Sequence, residues 1–227
     1  MRTWPKQQLL TLIAIALTVA SGAADVASFT RLGGVFTSVM TGNIVLWGLA
    51  AARGSLTLFA HTAVAIGGYI VGVIAGTWVA HVATHDEAGT DARVLPPHVI
   101  WVLVVELTML AGFTVGWVIS GAAPAGWAQF ALLTTLAAAM GMQSSAVKDM
   151  GLTEVSTTYL TGTLTGLVSS LARPGKETPD TPRRFGVLIG LVAGASLCGL
   201  FVATAADGAS ALPLAALAFT VVLATRR

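Results

Sequence analysis

Two runs of hydroxyl and amide side chains carry the most specific chemistry in the chain. Thr37 and Thr41-Gly42-Asn43 form one, and Thr157-Thr158 with Thr161-Gly162-Thr163 form the other, each in apolar surroundings. Glycine inside a helix costs about 1 kcal/mol relative to alanine and leaves nearby carbonyls less shielded. Hydroxyls and amides around such a point can receive a polar solute or a dehydrated ion. The same residues also suit a plainer role, in which glycine lets helices approach and Thr or Asn bonds across at about 0.6 kcal/mol.

Three further side chains qualify. Asp25 and Glu106 lie in apolar stretches, where an acid is costly, faces the protein interior, and marks an ion or proton path or a structural partner. Arg31 and Lys148 are the candidate cations for an ion pair, while Glu106 has none in its own segment. Gln143 precedes Gly151 by eight residues, as Asp25 precedes Gly33, and joins the candidate substrate-binding set. His81 and His85 stand four apart beside Asp86, Glu87 and Asp91, but no third metal ligand is fixed, so no metal site is assigned. No cofactor is implied. Metalloprotease, nucleophile-elbow, phosphate-loop and dinucleotide signatures are missing, so an enzyme is not expected. His61 and His98 read as interfacial helix-end residues.

What positions these groups follows from composition. Of 227 residues, 55% are hydrophobic and 10% charged, less than half the charged share of a soluble chain. With a mean hydropathy of +0.82, the solvent is a lipid bilayer. The one cysteine, Cys198, excludes an internal disulfide. No basic face interleaved with aromatics points to nucleic acid, and no segment is soluble enough for a nucleotide domain.

Apolar stretches fall at 8–29, 35–52, 58–82, 98–120, 126–147, 154–171, 184–206 and 209–225. The expected fold is an all-α membrane bundle of about eight spans, and the alternative is six spans with 35–52 and 154–171 re-entrant. Eighteen residues rise about 27 Å, just enough for a hydrocarbon core of about 30 Å. That length favours eight. Basic residues then distribute with Arg2, Lys6, Arg53, Arg173, Lys176, Arg183, Arg184, Arg226 and Arg227 inside, both termini cytoplasmic, and Arg31, Arg93 and Lys148 outside. The six-span count scores ten inside against two outside, so charge does not separate the two. Trp4, Trp47, Trp78, Trp101, Trp117 and Trp127 near segment ends suit an interfacial belt.

Sliding the chain by about 120 residues lays Val35–Asn43 over Val155–Thr163 and Arg53 over Arg173. Ile66-Gly67 falls on Ile189-Gly190, Gly76 on Gly199, and Val79-Ala80 on Val202-Ala203. Two repeats, 1–120 and 121–227, within one membrane domain are expected. The start of the chain imitates a signal peptide, with Arg2 and Lys6 before Leu9–Ala20. Its mid-chain counterpart argues against cleavage. Gly68, Gly72 and Gly76, and in the other half Gly186, Gly190 and Gly194, make two close-packing faces. They suit either the contact between halves or a homodimer seam.

Asp25-x-x-Ser28-Phe29, Gly33, Phe36, Met40-Thr41-Gly42-Asn43, Gly141-x-Gln143 and Thr157-Thr158-x-Leu160-Thr161-Gly162-Thr163 resemble the YoaK-like family of small bacterial membrane proteins. Glu106 in its Leu/Val-rich segment fits the same resemblance. It covers nearly the whole chain and implies a multi-pass protein of the bacterial inner membrane, with no reaction, substrate or binding residue attached. The residues themselves suggest a secondary transporter or channel for a small polar solute or ion, with Asp25 and Glu106 as coupling groups. A non-transporting accessory membrane protein is the alternative. For transport, the two Thr-Gly motifs are expected to face each other across a polar gap at the protein centre.

Overall fold

The computed structural model describes residues 6–84, 94–150, 160–172 and 181–225. Eight helices follow in order: α1 (Lys6–Arg31), α2 (Met40–Arg53), α3 (Leu56–Thr84), α4 (Pro97–Ile119), α5 (Gly126–Asp149), α6 (Leu160–Leu171), α7 (Thr181–Thr204) and α8 (Ala211–Ala224). A 3-10 turn, Ala206–Ser210, leads into α8. The protein is an all-α membrane bundle, with no strand among the described residues. Its outer surface is apolar where a soluble protein would be charged: Ile70, Ile74 and Trp78 on α3, Ile119 on α4, Phe185 and Val192 on α7, and Val222 on α8 are all exposed.

Six helices are long and apolar enough to cross a membrane: α1, α3, α4, α5, α7 and the joined 3-10 turn and α8. The stretch 35–52, expected as one helix of eighteen residues, is instead non-helical through Val39 and then helical for 14 residues. Such a helix rises about 21 Å, short of the hydrocarbon thickness. Gly54 ends it in the left-handed conformation (φ 62°), and Ser55 N–H bonds Ala50 O at 2.9 Å to close the turn into α3.

Tethers between helix ends fix the direction of every long helix. Gln129, at the start of α5, donates to Arg31 O at the end of α1 (2.9 Å) and pairs with His61 near the start of α3 (3.0 Å). Arg31 reaches Val202 O at the end of α7 (3.4 Å). At the end of α4, Trp117 donates to Ala206 O (2.9 Å) and Thr114 to Ser210 O (3.1 Å). One end of the bundle thus gathers the ends of α1, α4 and α7 and the starts of α3, α5 and α8. Since α1 finishes and α3 begins there, α2 leaves and returns to the same end. By the same reasoning α6, between the end of α5 and the start of α7, belongs to the opposite end.

The glycine faces are intramolecular seams. A Cβ on Gly72 would meet the backbone of Ala138, and one on Gly68 or Gly76 would meet Thr134 or Met142 and Ser145, all on α5. A Cβ on Gly194 would meet the backbone of Val19, and one on Gly186 or Gly190 would meet Ile15, on α1. The partners supply glycines of their own: Gly141 of α5 sits on Tyr69 and Val73, and Gly22 of α1 on Leu191 and Ala195. Each half's first helix therefore packs on the other half's third. Those first helices, α1 and α5, form the buried centre, with Ile13, Leu17, Leu133, Leu136 and Met140 in the core.

Two expectations change. Trp117 is fully buried and ties α4 to the turn before α8, whereas Trp47, Trp78, Trp101 and Trp127 are exposed as a belt requires. His61 is buried and stacked on Phe130 at 4.5 Å, so it is a structural knot rather than an interfacial residue.

Two outcomes follow from this packing. Single cysteines at exposed Gln7, Arg53, Thr84, Ala123 and Asp149, in a Cys198→Ser background, should sort by reagent access into Gln7, Thr84 and Asp149 on one face and Arg53 and Ala123 on the other. Grouping of Gln7 with Arg53 would restore eight crossings. Gly72→Val and Gly194→Val should each lower the melting temperature in detergent severely and about equally. Gly67→Ala and Gly112→Ala, which meet nothing within 4 Å, should be neutral or stabilising by up to about 1 kcal/mol. Tolerance of either valine would disprove a backbone seam at that glycine.

Candidate functional site

Asp25 lies on the buried face of α1, six residues before its end. The chain turns back after Arg31 and brings residues 35–38 against it. Asp25 Oδ1 accepts from Thr37 N–H and Ser38 N–H, both at 2.8 Å, and from Thr37 Oγ1 at 3.2 Å. Its Oδ2 accepts from Ser38 Oγ at 2.6 Å. These amides stand just ahead of α2, whose N-cap, Val39, offers no side-chain cap. A carboxyl group on another helix thus holds the two residues that precede the N-cap.

Asn43, fully buried, completes the same knot. Its Oδ1 accepts from Phe36 N–H (2.9 Å), and its Nδ2 donates to Phe36 O (2.6 Å). Ser28 Oγ donates to Val35 O at 2.8 Å. Gly33 is needed because His61 occupies the place of its Cβ and its φ is +102°. Val35 C=O, both backbone groups of Phe36 and the N–H groups of Thr37 and Ser38 thus have partners. Beside the knot, Gly22, Asp25, Val26, Phe29, Phe36 and Leu191 line part of a cavity of about 290 Å³ between α1 and α7. The walls are almost wholly apolar, and Phe29 and Phe36 stack across it at 5.2 Å.

The Thr-Gly motifs do not meet. α2 packs on α3 at one end of the bundle and α6 on α7 at the other. Thr41 and Thr161 are exposed, and Gly162 has open space where a Cβ would be. Gly42 packs instead against the Phe36 ring. Thr163 is buried. The expected polar gap between the motifs is thus corrected: helices that start and finish at opposite ends of a bundle have no common centre to line. Thr157 and Thr158 lie outside the described residues, as does His85. Among the described residues no group of three His, Cys, Asp or Glu stands ready for a metal.

The deep interior holds a different pair. Glu106, midway along α4, has no exposed surface, and neither carboxyl oxygen has a hydrogen-bond partner. It lies in line with Val99, Leu103, Leu110, Phe113 and Trp117, the row that α4 turns inward. The expected cations are elsewhere, with Arg31 bonded to Val202 O and Lys148 exposed at the end of α5. Gln143 of α5 donates to Leu17 O (3.1 Å) and Ser21 Oγ (2.8 Å) of α1, while its own Oε1 is buried and unpartnered.

Of the residues singled out from the sequence, Asp25, Asn43, Glu106 and Gln143 are buried inside the bundle. Ser38, Gln129 and the knot role of His61 were missed, because their partners lie far along the chain and nothing local marks them.

A family model described as a protein of unknown function, DUF1275, matches residues 13–225. The UPF0700 transmembrane protein YoaK of Bacillus subtilis (strain 168) is 32% identical over 159 residues, covering 69% of this chain and 64% of that protein. The match thus spans less than two thirds of that relative's length. No solved structure matches.

Removing the Asp25 carboxyl group would leave buried donors at Thr37 and Ser38 without partners, at about 1–3 kcal/mol for each group. Asp25→Ala should therefore destabilise the protein by more than about 2 kcal/mol, and Ser38→Ala by about 1 kcal/mol, in denaturation followed by tryptophan fluorescence. A fully stable Asp25→Ala protein would remove the anchor role.

Proposed function

We propose that this chain, which belongs to the DUF1275 family of proteins of unknown function and is a multi-pass membrane protein, is a secondary transporter or channel for a small polar solute or ion. The observation that carries this reading is Glu106: a carboxyl group wholly inside the bundle, with both oxygens unpartnered. An acid at that depth is costly and is kept where charge or protons move. Asp25, by contrast, is engaged by four donors and serves the fold.

The halves are read as repeats of inverted topology. In support, α1 and α5 run in opposite directions, and the contacts of Gly72 with Ala138 and of Gly194 with Val19 are counterparts across the halves. Transporters built this way hold their sites near mid-membrane between the halves. Glu106 lies at that depth, about 14 Å along a helix of about 34 Å. The helices α2 and α6, one toward each face, are read as gates, with Thr41-Gly42 and Thr161-Gly162 at their starts. With six crossings the basic residues favour cytoplasmic termini in a bacterial inner membrane, since Lys6, Lys148, Arg183 and Arg184 share the end opposite Arg31 and Arg53.

The accessory reading also has an observation in its favour. Asp25, Asn43 and His61 are bonded internally, and the cavity beside Asp25 is apolar. Flux decides between them. Protein reconstituted in vesicles and challenged with proton, sodium or potassium gradients should dissipate at least one of them. Glu106→Gln should abolish that flux yet leave a folded protein. Vesicles that stay tight to all three gradients, or flux indifferent to Glu106→Gln, would favour the accessory role.

A further inference from the structure

Among the described residues, three buried side-chain oxygens have no partner: both of Glu106 and the Oε1 of Gln143. The packing of α4 on α5 brings them to one level. A Cβ on Gly116 of α4 would meet the Leu132 side chain of α5, and the two helices run antiparallel with the same rise per residue. Stepping ten residues back along α4 and ten forward along α5 sets Glu106 opposite Met142, one residue from Gln143.

All three oxygens are acceptors when the acid is ionised, and three acceptors together in hydrocarbon repel one another. An unpaired charge there would carry a desolvation cost of several kcal/mol or more. A bare metal cation is a poor remedy, since a hard cation takes six or more oxygens and these two side chains offer three. One proton resolves the arrangement. On Glu106 it makes a neutral acid with one O–H donor, and Gln143 Oε1 is an acceptor that lacks a donor.

We propose that Glu106 and Gln143 form a single proton site, in which the acid form of Glu106 donates to Gln143 Oε1. It rests on the transport reading for its role and on donor and acceptor matching for its existence. The Gln143 amide also donates to Leu17 O and Ser21 Oγ on α1. Loss of the proton would thus be felt at the contact between α5 and α1, the two central helices.

Among the described residues no other carboxyl group lies beside this site. From α5 come only Lys148 and Asp149, both exposed at its end, and α8 has none. On α3, His61 is engaged at the far end, Tyr69 is half-buried with its backbone against Gly141, and His81 is exposed. Asp207 in the 3-10 turn is exposed, and Asp25 of α1 is held by its own donors.

Infrared spectroscopy of the protein in lipid nanodiscs at neutral pH tests this directly. A protonated-carboxyl C=O band is expected in the parent protein, absent in Glu106→Gln, and moved to higher frequency in Gln143→Met as the hydrogen bond is lost. Absence of the band, or a band indifferent to Gln143→Met, would overturn the proposal. Should Gln143→Met not fold, melting temperatures decide. Glu106→Gln, whose amide can donate to Gln143 Oε1, should stay close to the parent, and Glu106→Leu should fall well below it. Equal loss in both would overturn the shared bond. A band with the expected Gln143 dependence in protein whose vesicles stay tight to proton, sodium and potassium gradients supports the site and removes the transport reading.

Discussion

Between helices in hydrocarbon there is no water to exclude, so attraction depends on how closely the backbones approach. Gly68, Gly72 and Gly76 set that distance for α3 on α5, and Gly186, Gly190 and Gly194 set it for α7 on α1. The remaining architecture hangs on these two seams. Because each joins a helix of one half to a helix of the other, neither half can bury its first helix alone. The second and fourth helices of each half then attach to what the seams have built, α2 to α3, α6 to α7, α4 to α5 and α8 to α1.

A second constraint shapes the place where the helical pattern stops. Irregular backbone at membrane depth is tolerated only when its N–H and C=O groups are satisfied inside the protein. Across residues 35–38, Asp25, Asn43 and Ser28 satisfy Val35 C=O, both backbone groups of Phe36 and the N–H groups of Thr37 and Ser38. The acid thus pins, from across space, the segment that leads into α2. Its cost in hydrocarbon is offset by the donors it gathers, which hold residues 37 and 38 against α1.

This is also where reading the sequence reached its limit. Apolar runs, the glycine ladders and the inward placement of Glu106 were legible because each depends on local period or composition. The path of 35–52 was not. A stretch of eighteen residues is long enough to cross, and the bonds that hold residues 37 and 38 to Asp25 join positions twelve and thirteen residues apart, which no local pattern marks. The likeness of the two Thr-Gly motifs was read as proximity. The directions of the helix ends favour a different meaning, the same local role at opposite faces. Trp117 and His61 were misplaced for a related reason: tryptophan and histidine near a segment end suit an interface, and only Ala206 O and Gln129, far along the chain, draw them inward.

The polar residues of the interior therefore divide by what they touch rather than by their type. Asp25 and Glu106 are both acids in apolar helices, and composition gave no reason to separate them. Asp25 is surrounded by donors that belong to the fold, so its surroundings are complete without any further species. Glu106 is bounded by Leu103, Leu110 and Phe113 along its row, and the nearest unmet acceptor by depth is Gln143. A site that is complete has nothing to exchange. Glu106 lacks a donor at mid-depth of α4, and that asymmetry in hydrogen bonding is what distinguishes it from Asp25.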